Sequence, residues 1–258
     1  MKVVLDFRKS IEKNAGDYFD KSKKAKKKLE GALRTKEKYE HELDKLVRNQ
    51  EIIESNRVEK VDRKKHWFEK FRWFFTSKGF LVIGGRDATT NEIVIKKYTD
   101  PHDLVFHTDM AGSPFFVLKT EGKDVDEDTL KEVADATCTF SKAWKLGIQS
   151  QDVFYVSPSQ VTKEAQSGEY LTKGSFMIRG KTNYIDNKID LCIGVNEEGA
   201  VMGGPERSVK AHCKKYVALI QGEEKASKVA KVIAHKLKLS DVDEIIRAMS
   251  SGGFKLVK

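Results

Sequence analysis

Residues Phe80 to Lys119 read FLVIGGRDATTNEIVIKKYTDPHDLVFHTDMAGSPFFVLK. Phe80–Ile83 is a short apolar run closed by Gly84-Gly85, the pattern of a buried strand and a turn. Asp87 is placed to cap a helix running to about Tyr98, with Ile93, Val94 and Tyr98 facing inward, and Pro101 stops it. Leu104–His107 and Phe115–Lys119 then read as strands flanking a turn at Gly112-Ser113-Pro114. Few of these short, glycine-separated strands leave room for a crossover helix between them. That favours an α+β domain with a mainly antiparallel sheet and flanking helices over a doubly wound one.

The chain beyond Lys119 repeats the theme. Asp126 or Asp128 opens a helix to about Trp144. Asp152–Val156, Ser175–Arg179, Asp190–Val195, Val201 onward and Tyr216–Ile220 read as strands. Two helices follow, Lys225–Leu237 and Asp241–Met249, the second capped by Ser240, before a last strand at Phe254–Val257.

Upstream the pattern changes. Positions 11, 15, 18, 22, 25, 29, 32, 36, 39, 43 and 46 alternate steps of four and three. Apart from Ser22 and Lys36 they are apolar or aromatic, which is a heptad seam. A second stripe, Val58, Val61, Phe68, Phe71 and Phe75, follows a break near Asn49–Asn56. Two amphipathic stripes around one short break predict an antiparallel coiled-coil hairpin over residues 1–75, with a globular domain over 76–258. A single continuous helix that dimerises along its seam is the competing arrangement.

Charge follows the same division. The 258 residues carry a net +9, with 34% charged and 39% hydrophobic residues. Residues 8–75 hold 21 Lys and Arg against 13 Asp and Glu, so nearly all of the positive excess lies in the first quarter. Its densest point is KSKKAKKK at 21–28, where Lys23, Lys24, Lys26, Lys27 and Lys28 are candidate phosphate contacts. A plain solvated helix face is the alternative.

Other classes are set aside by simple features. No apolar run approaches the roughly 18–20 residues of a membrane helix, and the opening MKVVLDFRKSIEKN has no secretory pattern. Cys138, Cys192 and Cys213 form no CxxC pair, which argues against a disulfide scaffold or zinc ribbon and suits a reducing, cytoplasmic setting. Neither a GxGxxG nor a Walker pattern is present, and no cofactor or metal is expected.

Three local clusters carry possible chemistry. Arg86, after a glycine turn at a helix start, is placed to meet a phosphate, unless it is spent on Asp87 or Glu92. His107 and Asp109 share a strand face and could act as an acid–base pair or metal ligands on a nucleic acid or nucleotide. In Gly174–Tyr184, Arg179 and Lys181 are expected to point the same way on a strand, with Tyr184 or Phe176 as a stacking platform for RNA bases.

These stretches also resemble the NFACT family, which includes the ribosome quality control proteins of the RqcH/NEMF type and bacterial members called fibronectin-binding proteins. Lys65–Lys97, Asp103–Lys119, Ser141–Trp144, Ser159–Tyr184 and Gly204–His212 resemble its NFACT-R domain, and Leu5–Ala32 resembles the start of its middle coiled coil. The resemblance implies a non-enzymatic RNA-binding module whose partners are the large ribosomal subunit and tRNA or rRNA, in proteins that support C-terminal tailing of an obstructed nascent chain. It implies a domain surface shaped by Asp87, Asn91, His107, Asp109, Ser113, Trp144, Glu169 and Tyr184. The family's NFACT-N module and helix-hairpin-helix region have no counterpart here, so the chain reads as the C-terminal part of the pattern. A purely structural scaffold, homodimeric through its coiled coil, is the remaining reading.

Overall fold

The computed structural model describes residues 3–55, 63–164 and 171–257, with backbone alone for 46–55. The chain forms two compact units, Met1–Arg57 and Val58–Lys258.

The first unit is one helix, α1 (Ile11–Ser55), 45 residues long, or roughly 68 Å at 1.5 Å per residue. Residues before it fold back on its first turns. The buried Asn14 side chain donates to the carbonyls of Asp6, Lys9 and Ser10 and accepts from the Asp6 amide. The Tyr18 hydroxyl holds Val4 through both its amide and its carbonyl. The seam residues Ile11, Leu29, Tyr39 and Leu43 are all exposed.

The second stripe of the expected hairpin is not a helix where it is described. Phe68 sits in a 3-10 turn, Trp67–Lys70, and Phe75 ends strand β1 (Arg72–Phe75); Val58 and Val61 lie outside the described residues. The spacing of Phe68, Phe71 and Phe75 mimics a helix. However, Arg72-Trp73-Phe74-Phe75 is a β-prone aromatic run, and it pairs antiparallel with β2 (Leu81–Gly84), Trp73 opposite Ile83.

The second unit is α+β, as expected. Helix α2 (Ala88–Lys97) follows β2, and β3 (Leu104–Thr108), β4 (Phe116–Leu118), β5 (Val153–Val156) and β8 (Asn183–Ile185) complete an antiparallel sheet in the order β1-β2-β4-β3-β5-β8. The short strands β6 (Val161–Thr162) and β7 (Met177–Ile178) pair by themselves. A second antiparallel sheet runs β10-β9-β11-β12, from β9 (Leu191–Asn196), β10 (Val201–Gly204), β11 (Cys213–Lys225) and β12 (Gly253–Leu256).

Helices flank the sheets. The expected single helix to Trp144 is two, α3 (Glu127–Thr139) and α4 (Lys142–Leu146). Ser141 breaks it: its hydroxyl accepts from the Ala143 amide and donates to the Cys138 carbonyl, capping one helix against the end of the other. Helix α5 (Glu206–His212), absent from the sequence expectations, is followed by α6 (Ala226–Leu237) and α7 (Val242–Ala248). Asp241, not Ser240, caps α7, accepting from the amides of Asp243 and Glu244. The core is one apolar cluster joining both sheets, with Phe74, Phe106, Phe116, Ile193 and Phe254 fully buried.

Candidate nucleic-acid interface

On α1 every side chain from Lys21 to Lys45 is exposed. At 100° per residue, Lys23, Lys24, Lys26, Lys27 and Lys28 sweep about 200° of the helix surface and leave Ser22, Ala25 and Leu29 on the remaining arc. Ion pairs of this unit join Lys9 to Asp17 and Lys36 to Glu40. None of the five lysines joins one among the described residues, so their positive field is not cancelled locally.

The Gly84–Asp87 corner forms as read, and for a packing reason. A Cβ on Gly85 would lie 1.8 Å from Asn91 Oδ1. That oxygen accepts from the Phe115 amide at 3.2 Å and ties α2 to the chain entering β4. Asn91 is therefore a buried tie, not a surface group. Asp87 caps α2, its carboxylate accepting from the Thr90 amide at 2.8 Å. These hydrogen bonds hold the Asp87 carboxyl below its usual range.

Arg86 is not spent on a carboxylate. Its guanidinium donates to the carbonyls of Phe71 (2.6 Å) and Glu69 (3.3 Å). Glu92 instead pairs with Lys163 at 2.7 Å and accepts from the Gly174 amide at 3.1 Å, which brings its carboxyl down to about 2. A cleft of about 550 Å³ opens over Arg86, lined also by Arg72, His107, Ser113, Lys142 and Lys173. Sequence reasoning did not single out Arg72 and Lys142, which line this cleft, although both lie in stretches that resemble the family.

His107 and Asp109 take different hydrogen-bond partners. His107 Nε2 faces the Ser113 carbonyl at 3.1 Å, and the ring stacks on Phe115 with centroids 4.1 Å apart. Burial pushes the imidazole below its ordinary value. Asp109 accepts from the Tyr184 hydroxyl at 3.1 Å. Ser113 is buried, its hydroxyl accepting from Thr108. Among the described residues no group of three His, Cys, Asp or Glu is placed to hold a metal.

Arg179 and Lys181 do not lie on one strand. Strand β7 ends at Ile178, and Gly180, at φ +81°, turns the chain between them. Gln160 bridges that turn through the carbonyls of both residues. Phe176 packs edge-on against Phe115, with Lys163 4.8 Å over its ring. Of Phe176 and Tyr184, Tyr184 is the exposed one. Trp144, expected at the surface, is buried, its Nε1 donating to the Gly253 carbonyl at 2.9 Å. Glu169 lies outside the described residues.

Residues 70–180 match the family model described as NFACT protein RNA binding domain. The chain belongs to the NFACT family.

Among its NFACT relatives is the archaeal Rqc2 homolog aRqcH of Methanocaldococcus jannaschii, 43% identical over 205 residues, covering 77% of this chain and 30% of that protein. Another is the human ribosome quality control complex subunit NEMF, 38% identical over 175 residues, covering 67% of this chain and 16% of that one. The chain thus spans less than a third of the length of these relatives. A solved structure, the C-terminal of the fibronectin/fibrinogen-binding protein from Streptococcus suis, aligns at 19% identity and a TM-score of 0.39, over 54% of this chain and 53% of that one. Among the described residues no helix is long and apolar enough to cross a membrane.

Proposed function

We propose that this chain is the RNA- and ribosome-binding part of a cytoplasmic ribosome quality control factor. In this reading it contacts the large subunit carrying an obstructed nascent chain, engages tRNA or rRNA, and supports C-terminal tailing without being an enzyme itself. The observation that carries the reading is the run of exposed, locally unpaired lysines at 23–28, in a chain whose residues 70–180 match an RNA-binding domain. Lysine point charges attract phosphate without regard to sequence and release counterions as they do so. Arg86, Arg179, Lys181 and the exposed Tyr184 supply contacts on the second unit, and Asp87, Asn91, His107, Asp109 and Ser113 hold the surface that presents them.

Co-sedimentation with isolated large ribosomal subunits tests this, at low and near-physiological salt, with free tRNA as competitor. Binding that survives physiological salt and resists tRNA supports specific ribosome contacts. Binding only at low salt, or displaced by tRNA, leaves a general polyanion binder. Light scattering of the same sample tests a homodimer through the α1 seam.

A further inference from the structure

We infer that the cleft floored by Arg72 and Arg86 is a phosphate-binding site that takes one phosphate of a bound RNA strand, a refinement resting on the RNA-binding reading above. The cleft of about 550 Å³ adjoins a smaller one of about 310 Å³, and Arg72, Arg86 and Phe140 line both. Arg247 lines the smaller cleft, while Lys142 and Lys173 stand exposed on the larger. The larger volume lies within the roughly 300–1,000 Å³ of small-ligand sites.

The charges in this region do not balance. Three carboxylates line the two clefts, and each is committed elsewhere. Asp87 caps α2. Glu69 grips Arg63 with both oxygens, at 2.7 and 2.6 Å, and accepts from the His66 amide. Glu244 pairs with Lys65 and, at 3.7 Å, with Arg63. What remains for Arg72 and Arg86 is backbone: Arg72 donates to the Met249 carbonyl at 2.7 Å, and Arg86 to Phe71 and Glu69. Arg86 Nε is buried with no hydrogen-bond partner among the described residues.

Like charges sit together as well. Burial, with the Arg86 charge added, pushes Arg72 down to about 10. Arg86 is lowered by burial and by Arg247. Partly buried cations without a counter-ion are costly, and an anion entering the cleft relieves that cost. The planar, multi-donor guanidinium is suited to phosphate oxygens. Arg72 also lies with its guanidinium carbon 4.5 Å over the Phe140 ring, which fixes its direction before any ligand arrives.

Phosphate could come from RNA or from the free ion, and the test separates them. The full chain is titrated with a short single-stranded RNA by anisotropy across a salt series. It is titrated separately with inorganic phosphate by NMR of the arginine Nε–H signals. Two variants are used: Arg86→Gln, and the double change Lys142→Glu with Arg247→Glu, whose exposed side chains leave the core intact. The expected result is RNA binding weakened about tenfold in both variants, with a smaller salt slope. Unchanged affinity and slope in the double variant, with the native chain binding RNA, overturns the phosphate site and leaves the RNA-binding reading standing. A native chain that shifts its Arg86 signal with phosphate but binds no RNA overturns the assignment to RNA. No response to either ligand overturns both.

Discussion

The Gly85 backbone lies so close to the Asn91 side chain that a Cβ on the glycine would fall 1.8 Å from Asn91 Oδ1, the oxygen that accepts the Phe115 amide. One missing side chain thus makes room for the tie between α2 and the strand beside the arginine cleft. Gly85→Ala is expected to cost about 1–3 kcal/mol through overpacking. Asn91→Ala is expected to cost a similar amount, because it leaves the buried Phe115 amide without an acceptor. Urea unfolding midpoints of both variants check this, and a midpoint unchanged in Gly85→Ala would show that Asn91 can simply move aside.

Trp144 joins α4 to the last strand through its Nε1 and the Gly253 carbonyl, 2.9 Å apart. Trp144→Phe keeps most of the apolar ring and should cost about 0.5–1.5 kcal/mol for the lost hydrogen bond, plus a packing term. Trp144→Ala should cost about 3–5 kcal/mol. Thermal melts compare the two; near-equal losses would mean that packing contributes little.

Asp135 is a buried pH-sensitive group of the fold. Burial, helped by Asp190, raises its carboxyl to about 6, although it accepts from the Lys188 amide at 2.8 Å. A raised carboxyl means that the folded chain binds more protons than the unfolded one between about pH 4 and 6. Stability contributed by this group therefore falls as pH rises through that window and stays low above it. Asp135→Asn keeps an acceptor for Lys188 and should stabilise the protein at pH 7.5, on the order of 2 kcal/mol. It should make no such difference at pH 4. Equal effects at both pH values would show that the gain is not electrostatic.

The five lysines of α1 predict a salt signature. Lys23, Lys24, Lys26, Lys27 and Lys28 changed together to Glu should weaken RNA binding and flatten the dependence of log affinity on log salt by several units. The helix itself should persist by circular dichroism, since no described contact of α1 uses these side chains. A slope equal to that of the native chain would sink the charge argument.

Tyr184 is exposed on β8 and is bonded through its hydroxyl to Asp109. Base stacking uses the ring, so Tyr184→Ala should weaken single-strand binding by about 1–3 kcal/mol, while Tyr184→Phe should stay near native. Equal losses in the two variants would assign the effect to the hydroxyl instead.

Local patterns in the sequence were enough for the elements that depend on neighbours in the chain. The α1 helix, the Asp87 cap and the Gly84-Gly85 corner rest on interactions within a few residues, and the β2, β3, β4 and β5 strands are marked by short apolar runs although their partners lie farther along the chain. The charge division is likewise a property of composition. What the sequence could not decide depends on residues far apart. Phe68–Phe75 has helical spacing, but Trp73 and Phe74 are held by pairing with β2 across the Gly79 turn. Trp144, expected at the surface, is drawn inward by Gly253, 109 residues along. The fates of Arg86, His107 and Asp109 also turn on distant or non-adjacent groups, namely the Phe71 carbonyl, the Ser113 carbonyl and the Tyr184 hydroxyl. Residue type sets which bonds a side chain can make. Only the closed fold, by burying some partners and committing others, sets which cations are left for an anion to find.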